Sequence, residues 1–390
     1  MKRFIALLMA LTSVFVFQFK VFAKNDTKSA AESEVSLEVS DAKSAVLMEA
    51  ETGEVIFEKE SGLPLNPASV TKVMTLLLAA EAIDGGNIAP TDMTTVSAYA
   101  ASMGGSQVFL KEGEEMSVEE LIKCVVIASA NDAAVALAEL VSGSEAVFVA
   151  RMNERAAELG MKNTNFENVT GLDDTTSNHY TSALDIAIMS AELISHEIIL
   201  KYSSIWQDTI RDGEFTLTNT NRLVRFYDGC NGLKTGSTSK AGYCVSATAK
   251  RGNMQLIAVV MGAETRDKRN EVARNLLDFG FANYTLMKNP ESPLEEVPIR
   301  CGVCNLAMAY EGEFSKLISK ADAAKIEKAY VIPDKIYATI KAGEAIGKVE
   351  YLVDGVAVGE AEIYLKEDVD KISFFGLLMR IMGAVFGVGK

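Results

Sequence analysis

Histidine is almost absent from this 390-residue sequence. There are two, His179 and His196, which excludes a three-histidine or HExxH zinc centre. Cysteine is scarce as well: five residues cannot build a disulfide framework in a chain of this length. Basic residues are outnumbered, 38 Lys and Arg against 53 Asp and Glu, for a formal net charge of −15. Such a surface repels phosphate backbones, so no nucleic-acid partner is expected. Repeats and low-complexity tracts are missing too. What is plentiful is apolar side chain, 48% hydrophobic against 23% charged, enough for sizeable cores and against wholesale disorder. The length fits about two to three domains.

The first residues, MKRFIALLMALTSVFVFQFKVFAKN, have the build of an export signal. Lys2 and Arg3 form a basic start, residues 4–17 an apolar run, and Val21-Phe22-Ala23 a small-residue cleavage pattern. An uncleaved anchor is the alternative, but Gln18 and Lys20 cut the run below the ~20 residues that a membrane span requires. Cleavage after residue 23 removes Lys2, Arg3 and Lys20 and no acid, leaving an exported chain at −18. The other end, residues 371–390, carries only Arg380 as a charge between Ile372 and Val388. As a helix that stretch is ~25 Å long, short of the ~30 Å hydrocarbon core. The expectation is an amphipathic helix lying on the extracytoplasmic face of the membrane, with Arg380 and Lys390 snorkelling to headgroups.

Between the ends, residues 24–36 are polar and expected to be flexible. Residues 44–59 read as two strands around a Thr52-Gly53 turn, and residues 68–83 as a strong helix stopped by Asp84-Gly85-Gly86. Residues 117–141 and 144–160 are further helical runs. Residues 242–249 and 255–262 read as strands joined at Gly252-Asn253, followed by a helix over 270–279. Strands at both ends of the segment with helices between them predict one α/β domain of the α+β kind, residues 37–285, with an antiparallel sheet and a helical subdomain. Beyond Asn289-Pro290 the pattern changes: strands over 348–353 and 356–365 flank Asp354-Gly355, a hairpin signal. Residues 291–368 are therefore expected to be a small all-β domain.

Pro67-Ala68-Ser69-Val70-Thr71-Lys72 opens the first long helix. Ser-x-x-Lys sets two side chains one turn apart, ~5–6 Å between Cβ atoms. A lysine that is partly desolvated there can lose its proton near neutral pH and activate the serine. The helix start adds a positive dipole end and free N–H groups for a developing oxyanion. The pattern alone is weak, because it recurs at residues 40–43 and 237–240. Two rarer motifs strengthen it. Ser129-Ala130-Asn131 is the one Ser-x-Asn in the chain, and Lys234-Thr235-Gly236 the one Lys-Thr-Gly, entering a strand. Taken singly, each has a bland explanation, a helix cap and a turn. In this order they are the signature set of penicillin-interacting serine enzymes.

On these motifs the sequence resembles the low-molecular-weight penicillin-binding proteins, the serine-type D-Ala-D-Ala carboxypeptidases of peptidase family S11. Asn163-Thr164, Phe166, Gly171-Leu172-Asp173, His179-Tyr180-Thr181, Asp185 and Ala241-Gly242-Tyr243 extend the likeness over nearly the whole exported chain. The resemblance implies a β-lactamase/transpeptidase-like fold and an enzyme that removes the terminal D-Ala from peptidoglycan stem peptides, without metal or organic cofactor, and that β-lactams acylate. It implies Ser69 as nucleophile, Lys72 as general base, and Ser129 as proton relay to the leaving D-Ala. Asn131 would hold the substrate amide and orient Lys72. Lys234, Thr235 and Arg269 would face the terminal carboxylate, with Gly236 completing the motif and Arg266 as a neighbour competing with Arg269 in the alignment. The N–H groups of Ser69 and Ser237 would form the oxyanion hole.

Other chemistry-bearing residues are read as bland. Glu167 does not supply the glutamate loop of a class A β-lactamase and is expected on a surface loop; His179 and His196 are expected to be structural. Cys301 and Cys304 form a lone C-x-x-C, read as an incidental disulfide, while Cys124, Cys230 and Cys244 are expected to be buried fillers. Trp206 needs no functional role.

Overall fold

Strand β1 (Ser44–Glu49) reads SAVLME and is buried along its whole length, which only a strand covered on both faces can be. The computed structural model, which describes residues 39–174 and 176–386, places β1 inside a five-stranded antiparallel sheet. With β2 (Val55–Lys59), β3 (Cys230–Thr238), β4 (Gly242–Arg251) and β5 (Met254–Ala263) the order is β2-β1-β5-β4-β3. Period-two alternation divides the apolar side chains between two cores. Val46, Met48, Ile257, Val259 and Met261 face one; Ala45, Leu47, Leu256, Ala258 and Val260 face the other.

The first core is closed by helices. α1 (Lys72–Asp84), α2 (Val118–Val126), α3 (Asn131–Ser142), α4 (Glu145–Glu158), α5 (Ala183–Leu193) and α6 (Glu197–Ser203) lie between β2 and β3 in the chain. α1 is apolar nearly all round because it is buried nearly all round. The second core is closed by α7 (Arg266–Asn283), capped by Thr265, whose hydroxyl accepts from the Lys268 N–H at 3.2 Å. This helix is longer at both ends than the pattern over 270–279 suggests.

One expected element is divided. Residues 117–141 have continuous helical character, yet α2 ends at Val126 and α3 begins at Asn131. Ser129 between them is left-handed, φ 65°. The break is held from outside the segment, where the Asn131 N–H donates to Ser106 O at 2.7 Å and the buried Asp132 carboxylate accepts from the Val108 and Leu110 N–H groups at 3.1 and 3.0 Å.

After α7 the chain runs into β6 (Tyr284–Asn289), β7 (Ser292–Arg300), β8 (Leu306–Glu311), β9 (Phe314–Ser319), β10 (Glu327–Val331), β11 (Ile336–Tyr337), β12 (Ala345–Val353) and β13 (Val356–Leu365). Six strands form one sheet, β10-β12-β13-β8-β7-β11. The β12–β13 hairpin turns at Asp354 and Gly355, both with positive φ, as a tight primed turn needs. β6 pairs instead with β9, and Leu286 and Leu317 from this pair join the core under α7. Strand pairing therefore crosses residue 290, where the change in sequence character falls.

Helix α8 (Phe374–Phe386) has no buried residue. Phe374, Phe375, Val385 and Phe386 are each at least 70% exposed. Arg380 does not point away from the protein as expected. Its guanidinium donates to Asn305 Oδ1, Gly302 O and Val303 O at 2.7, 3.1 and 2.8 Å, because that turn offers carbonyls with no sheet partner for them. Cys301 and Cys304, in the same turn, are free thiols, a correction to the expected disulfide: Cys304 packs against the β-domain core while Cys301 is exposed. The export signal, the segment to residue 36 and Lys390 lie outside the described residues.

The loop carrying Gly171 presses on the start of α1. A Cβ at Gly171 would sit 1.8 Å from Ala68 O, and φ there is +78°. Gly171→Ala is expected to cost at least ~1–3 kcal/mol through overlap and left-handed strain, measured as a lower thermal midpoint than wild type.

Candidate active site

Ser69 lies in the 3-10 turn Ala68–Thr71 that leads into α1, so the α-helix proper begins at Lys72. The Asn66 carboxamide accepts the Ala68 N–H at 2.9 Å, and Ala68 adopts φ 48°, turning the chain abruptly into the helix. Thr71, Lys72 and Thr75 then bind one loop in succession. Lys72 Nζ donates to Thr170 O at 2.8 Å, Thr75 Oγ1 to Val169 O at 2.7 Å, and Thr71 Oγ1 meets His179 Nε2 at 2.8 Å. His179 Nδ1 accepts from the Glu167 N–H at 3.0 Å, so the proton sits on Nε2. Burial holds this ring's pKa down to about 4, and a neutral histidine with both nitrogens engaged is a staple. Glu167 accepts from the Ser177 and Asn178 N–H groups, both at 2.9 Å, and serves the same loop.

The second donor of Lys72 goes to Ser69 Oγ at 3.0 Å. The ammonium is fully buried, and burial first, then the Lys234 charge, holds its pKa well below the ordinary lysine range, against a smaller upward pull from Asp132. A neutral amine at that distance can take the serine proton. Asn131 does not orient Lys72 directly: its Nδ2 donates to Gly104 O at 2.7 Å, and Thr170 O holds the lysine instead. Asn131 Oδ1 is buried without a partner among the described residues.

Lys234 stands on β3, the edge strand beside Ser69. Its Nζ donates to Ser129 Oγ at 2.8 Å and to Thr235 O at 2.9 Å, which explains the left-handed Ser129: the break between α2 and α3 brings that hydroxyl to the lysine. Burial, then the Arg269 charge, lowers the Lys234 pKa to about 7. Gly236 permits the contact between strand and turn, since a Cβ there would lie 2.8 Å from the Ser69 nitrogen. Arg269, buried on the first turn of α7, hydrogen-bonds Asn270 Oδ1 and Cys244 O, and burial followed by the Arg266 charge lowers its pKa to about 10.

Ser69, Ser129, Thr235, Gly236, Ser237 and Arg269 line one cavity of about 610 Å³. Arg266 lines it too, but is exposed, whereas Arg269 is 3% exposed. Sequence reasoning missed the opposite wall. Trp206, Arg222 and Phe226 reach the cavity from segments with no motif, and Thr170 contributes through its backbone carbonyl, which no side-chain pattern reveals.

The electrostatics predict how Ser69 reacts with a carboxylate-bearing acylating agent. Reactivity should follow a bell-shaped pH profile, gained as Lys72 deprotonates through its depressed pKa and lost as Lys234 gives up its charge near pH 7. Lys72→Arg, which cannot deprotonate, should abolish the rising limb and lower the rate ~10²–10⁴-fold; rapid-mixing acylation rates against pH are the check.

Residues 28–265 match the peptidase S11 family, D-alanyl-D-alanine carboxypeptidase, and residues 302–371 match the C-terminal domain of penicillin-binding protein 5. The chain is similar to the D-alanyl-D-alanine carboxypeptidase DacF of Bacillus subtilis, 43% identical with 98% of each chain covered. The D-alanyl-D-alanine carboxypeptidase DacC of Escherichia coli is 32% identical, over 94% of this chain and 93% of its own. Penicillin-binding protein 5 of Haemophilus influenzae superposes with a TM-score of 0.74 at 34% identity, covering 85% of this chain and 98% of that one. Penicillin-binding protein D2 of Listeria monocytogenes, solved in its ampicillin-bound form, gives a TM-score of 0.55 at 33% identity over 62% of this chain and 98% of its own. With two buried lysines, each hydrogen-bonded to its own serine on the wall of one cavity of this fold, the chain belongs to the peptidase S11 family of D-alanyl-D-alanine carboxypeptidases.

Proposed function

We propose that this protein is a serine-type D-alanyl-D-alanine carboxypeptidase that removes the terminal D-Ala from peptidoglycan pentapeptide stems through an acyl-enzyme on Ser69. The observation that carries the reading is the pair of lysine–serine contacts, Lys72 to Ser69 at 3.0 Å and Lys234 to Ser129 at 2.8 Å, on one cavity. Lys72, kept neutral, takes the Ser69 proton as Oγ attacks the penultimate D-Ala carbonyl. The N–H groups of Ser69 and Ser237 receive the oxyanion; one such donor is worth ~10²–10³-fold. Ser129, polarised by Lys234, passes a proton to the leaving amine. Thr235, Arg269 and the Lys234 charge hold the leaving residue's carboxylate, and Asn131 Oδ1 accepts the substrate amide. Water then hydrolyses the ester. β-Lactams enter the same path and stay as a slowly hydrolysed acyl group.

The experiment is incubation of the exported chain, from residue 24, with a peptide ending in D-Ala-D-Ala, followed by mass spectrometry. Loss of one alanine is expected, absent in Ser69→Ala, together with a penicillin adduct on Ser69 alone. No loss of mass from folded enzyme sinks the reading; penicillin turnover without alanine release would favour a β-lactamase instead, against which the use of the Glu167 carboxylate on loop N–H groups already counts.

Peptidoglycan stems lie outside the cytoplasmic membrane, and the reading includes export followed by peripheral attachment to that membrane through α8. Its apolar side chains are exposed while Arg380 is satisfied by the β domain, which leaves the helix nothing polar to desolvate on entering lipid. The exported chain is expected to sediment with vesicles of phosphatidylcholine and phosphatidylglycerol, and a chain ended at residue 371 to remain in solution while still releasing D-Ala. Equal sedimentation of both would exclude α8 as the anchor.

A further inference from the structure

Among the described residues, every hydrogen bond that ties α8 to the β region comes from Arg380. The guanidinium binds the turn between β7 and β8 at Asn305 Oδ1, Gly302 O and Val303 O, and no residue of the helix is buried. The chain leading into α8 is stitched to the same turn. The Ile372 N–H donates to Cys301 O at 2.8 Å, and the Val303 N–H donates to Asp370 O at 2.9 Å. Whatever surface receives α8 therefore meets this turn within one arginine side chain of the helix.

The surface of the turn has a composition of its own. Val303 is 56% exposed and Leu306, which opens β8, 51%. Tyr337 on β11 is 57% exposed and pairs with Arg300 at the end of β7. Arg300 and Lys371 are exposed, and neither is ion-paired among the described residues of a chain with 53 acids. The neighbouring Asp368 is held by Lys341 at 2.7 Å, which also feels Asp370. Aliphatic side chains, a tyrosine and unpaired cations together suit the level where acyl chains meet anionic headgroups. Three apolar side chains fall short of the ~800 Å² per partner of a stable protein interface, whereas a bilayer demands no matching shape. The apolar stretch is also shallow. Leu306 lies opposite Pro298, but two residues along β8 Met308 lies opposite Glu296. Charge thus begins ~7 Å from the start of the strand, against the ~5–10 Å that interfacial elements enter.

Resting on the attachment of α8 to the membrane, we propose that the β7–β8 turn is a second lipid-contacting element. Val303 and Leu306 enter the interface beside the helix, Tyr337 lies at headgroup level, and Arg300 and Lys371 meet anionic phosphates. Arg380 joins helix and turn into one footprint. The β region then stands on the membrane at a fixed tilt, where a single helix on a flexible tether would let it swing.

Cys301 supplies the reporter, an exposed thiol in the turn itself, while Cys124, Cys230 and Cys244 are buried. The exported chain carrying Cys304→Ser is labelled there with an environment-sensitive fluorophore and checked for wild-type D-Ala release. It is then mixed with phosphatidylcholine–phosphatidylglycerol vesicles, with and without brominated acyl chains. The emission should shift to the blue and be quenched by the bromine. In the unlabelled chain, Val303→Asp with Leu306→Asp should raise the lipid concentration for half-sedimentation tenfold or more and leave D-Ala release in solution unchanged. Tyr330→Asp with Val356→Asp, 50% and 68% exposed elsewhere on the β region, adds the same charge and should change sedimentation less than twofold. A labelled chain that sediments without quenching overturns the proposal, as do equal effects of the two double variants. Failure of the unlabelled exported chain to sediment would instead overturn the attachment by α8, and the proposal with it.

Discussion

Two lysine ammonium groups are fully buried within one site, and no carboxylate hydrogen-bonds either of them among the described residues. Each is held by one hydroxyl and one backbone carbonyl. Burying an unpaired cation is costly, so the protein lowers both pKa values rather than neutralising the charges with acid. Everything else about the site follows from that choice. A lysine beside a carboxylate would keep its proton and could not take one from Ser69. A lysine at 0% exposure beside another lysine holds its proton less tightly than an ordinary lysine, and burial with the Arg269 charge does the same to the second.

The fold supplies the rigidity this requires. The sheet is covered on both faces, and its edge strand β3 is laid against the 3-10 turn of Ser69 so closely that only Gly236 fits between them. On the other side, the loop around Thr170 is pinned to α1 by Lys72 and Thr75 and braced by a neutral His179 that meets Thr71. Ser129 reaches Lys234 only because the helical run is broken at a left-handed residue, local strain that the buried Asp132 contacts maintain. Three segments far apart in sequence are thus fixed relative to one another to within a hydrogen bond.

The rim of the cleft is built from less constrained elements. The groups nearest the reacting atoms are buried, while Arg222, Arg266 and Phe226 are exposed at the cleft and come from the segment before β3 and the first turn of α7. The C-terminal β region is joined to the body by a strand pair and by ion pairs from Lys288 and Lys316 to Glu51 and Glu54, so α8 is carried on an attached support.

Much of this was legible without coordinates. The apolar runs of residues 44–49 and 255–262, the helix from residue 68, and the Asp354-Gly355 hairpin are local patterns, and local patterns are what a sequence displays. Ser69, Lys72, Ser129 and Lys234, which the structure brings together, could be singled out because each lies in a short motif whose order along the chain is distinctive. Other features depended on partners the sequence does not name. The break at Ser129 is imposed by Ser106, Val108 and Lys234 on a segment of helical character. Lys72 is held by a backbone carbonyl, and Arg380 turns inward to the carbonyls of a distant turn. Trp206 lines the cleft only because of where its loop comes to rest. The sequence by itself determined which groups could do chemistry and which segments would be strand or helix, because those depend on neighbours within a few residues. The tertiary structure decided which acceptor each buried donor uses and what shape the cleft takes, because a buried polar group takes whatever partner packing brings within about 3 Å.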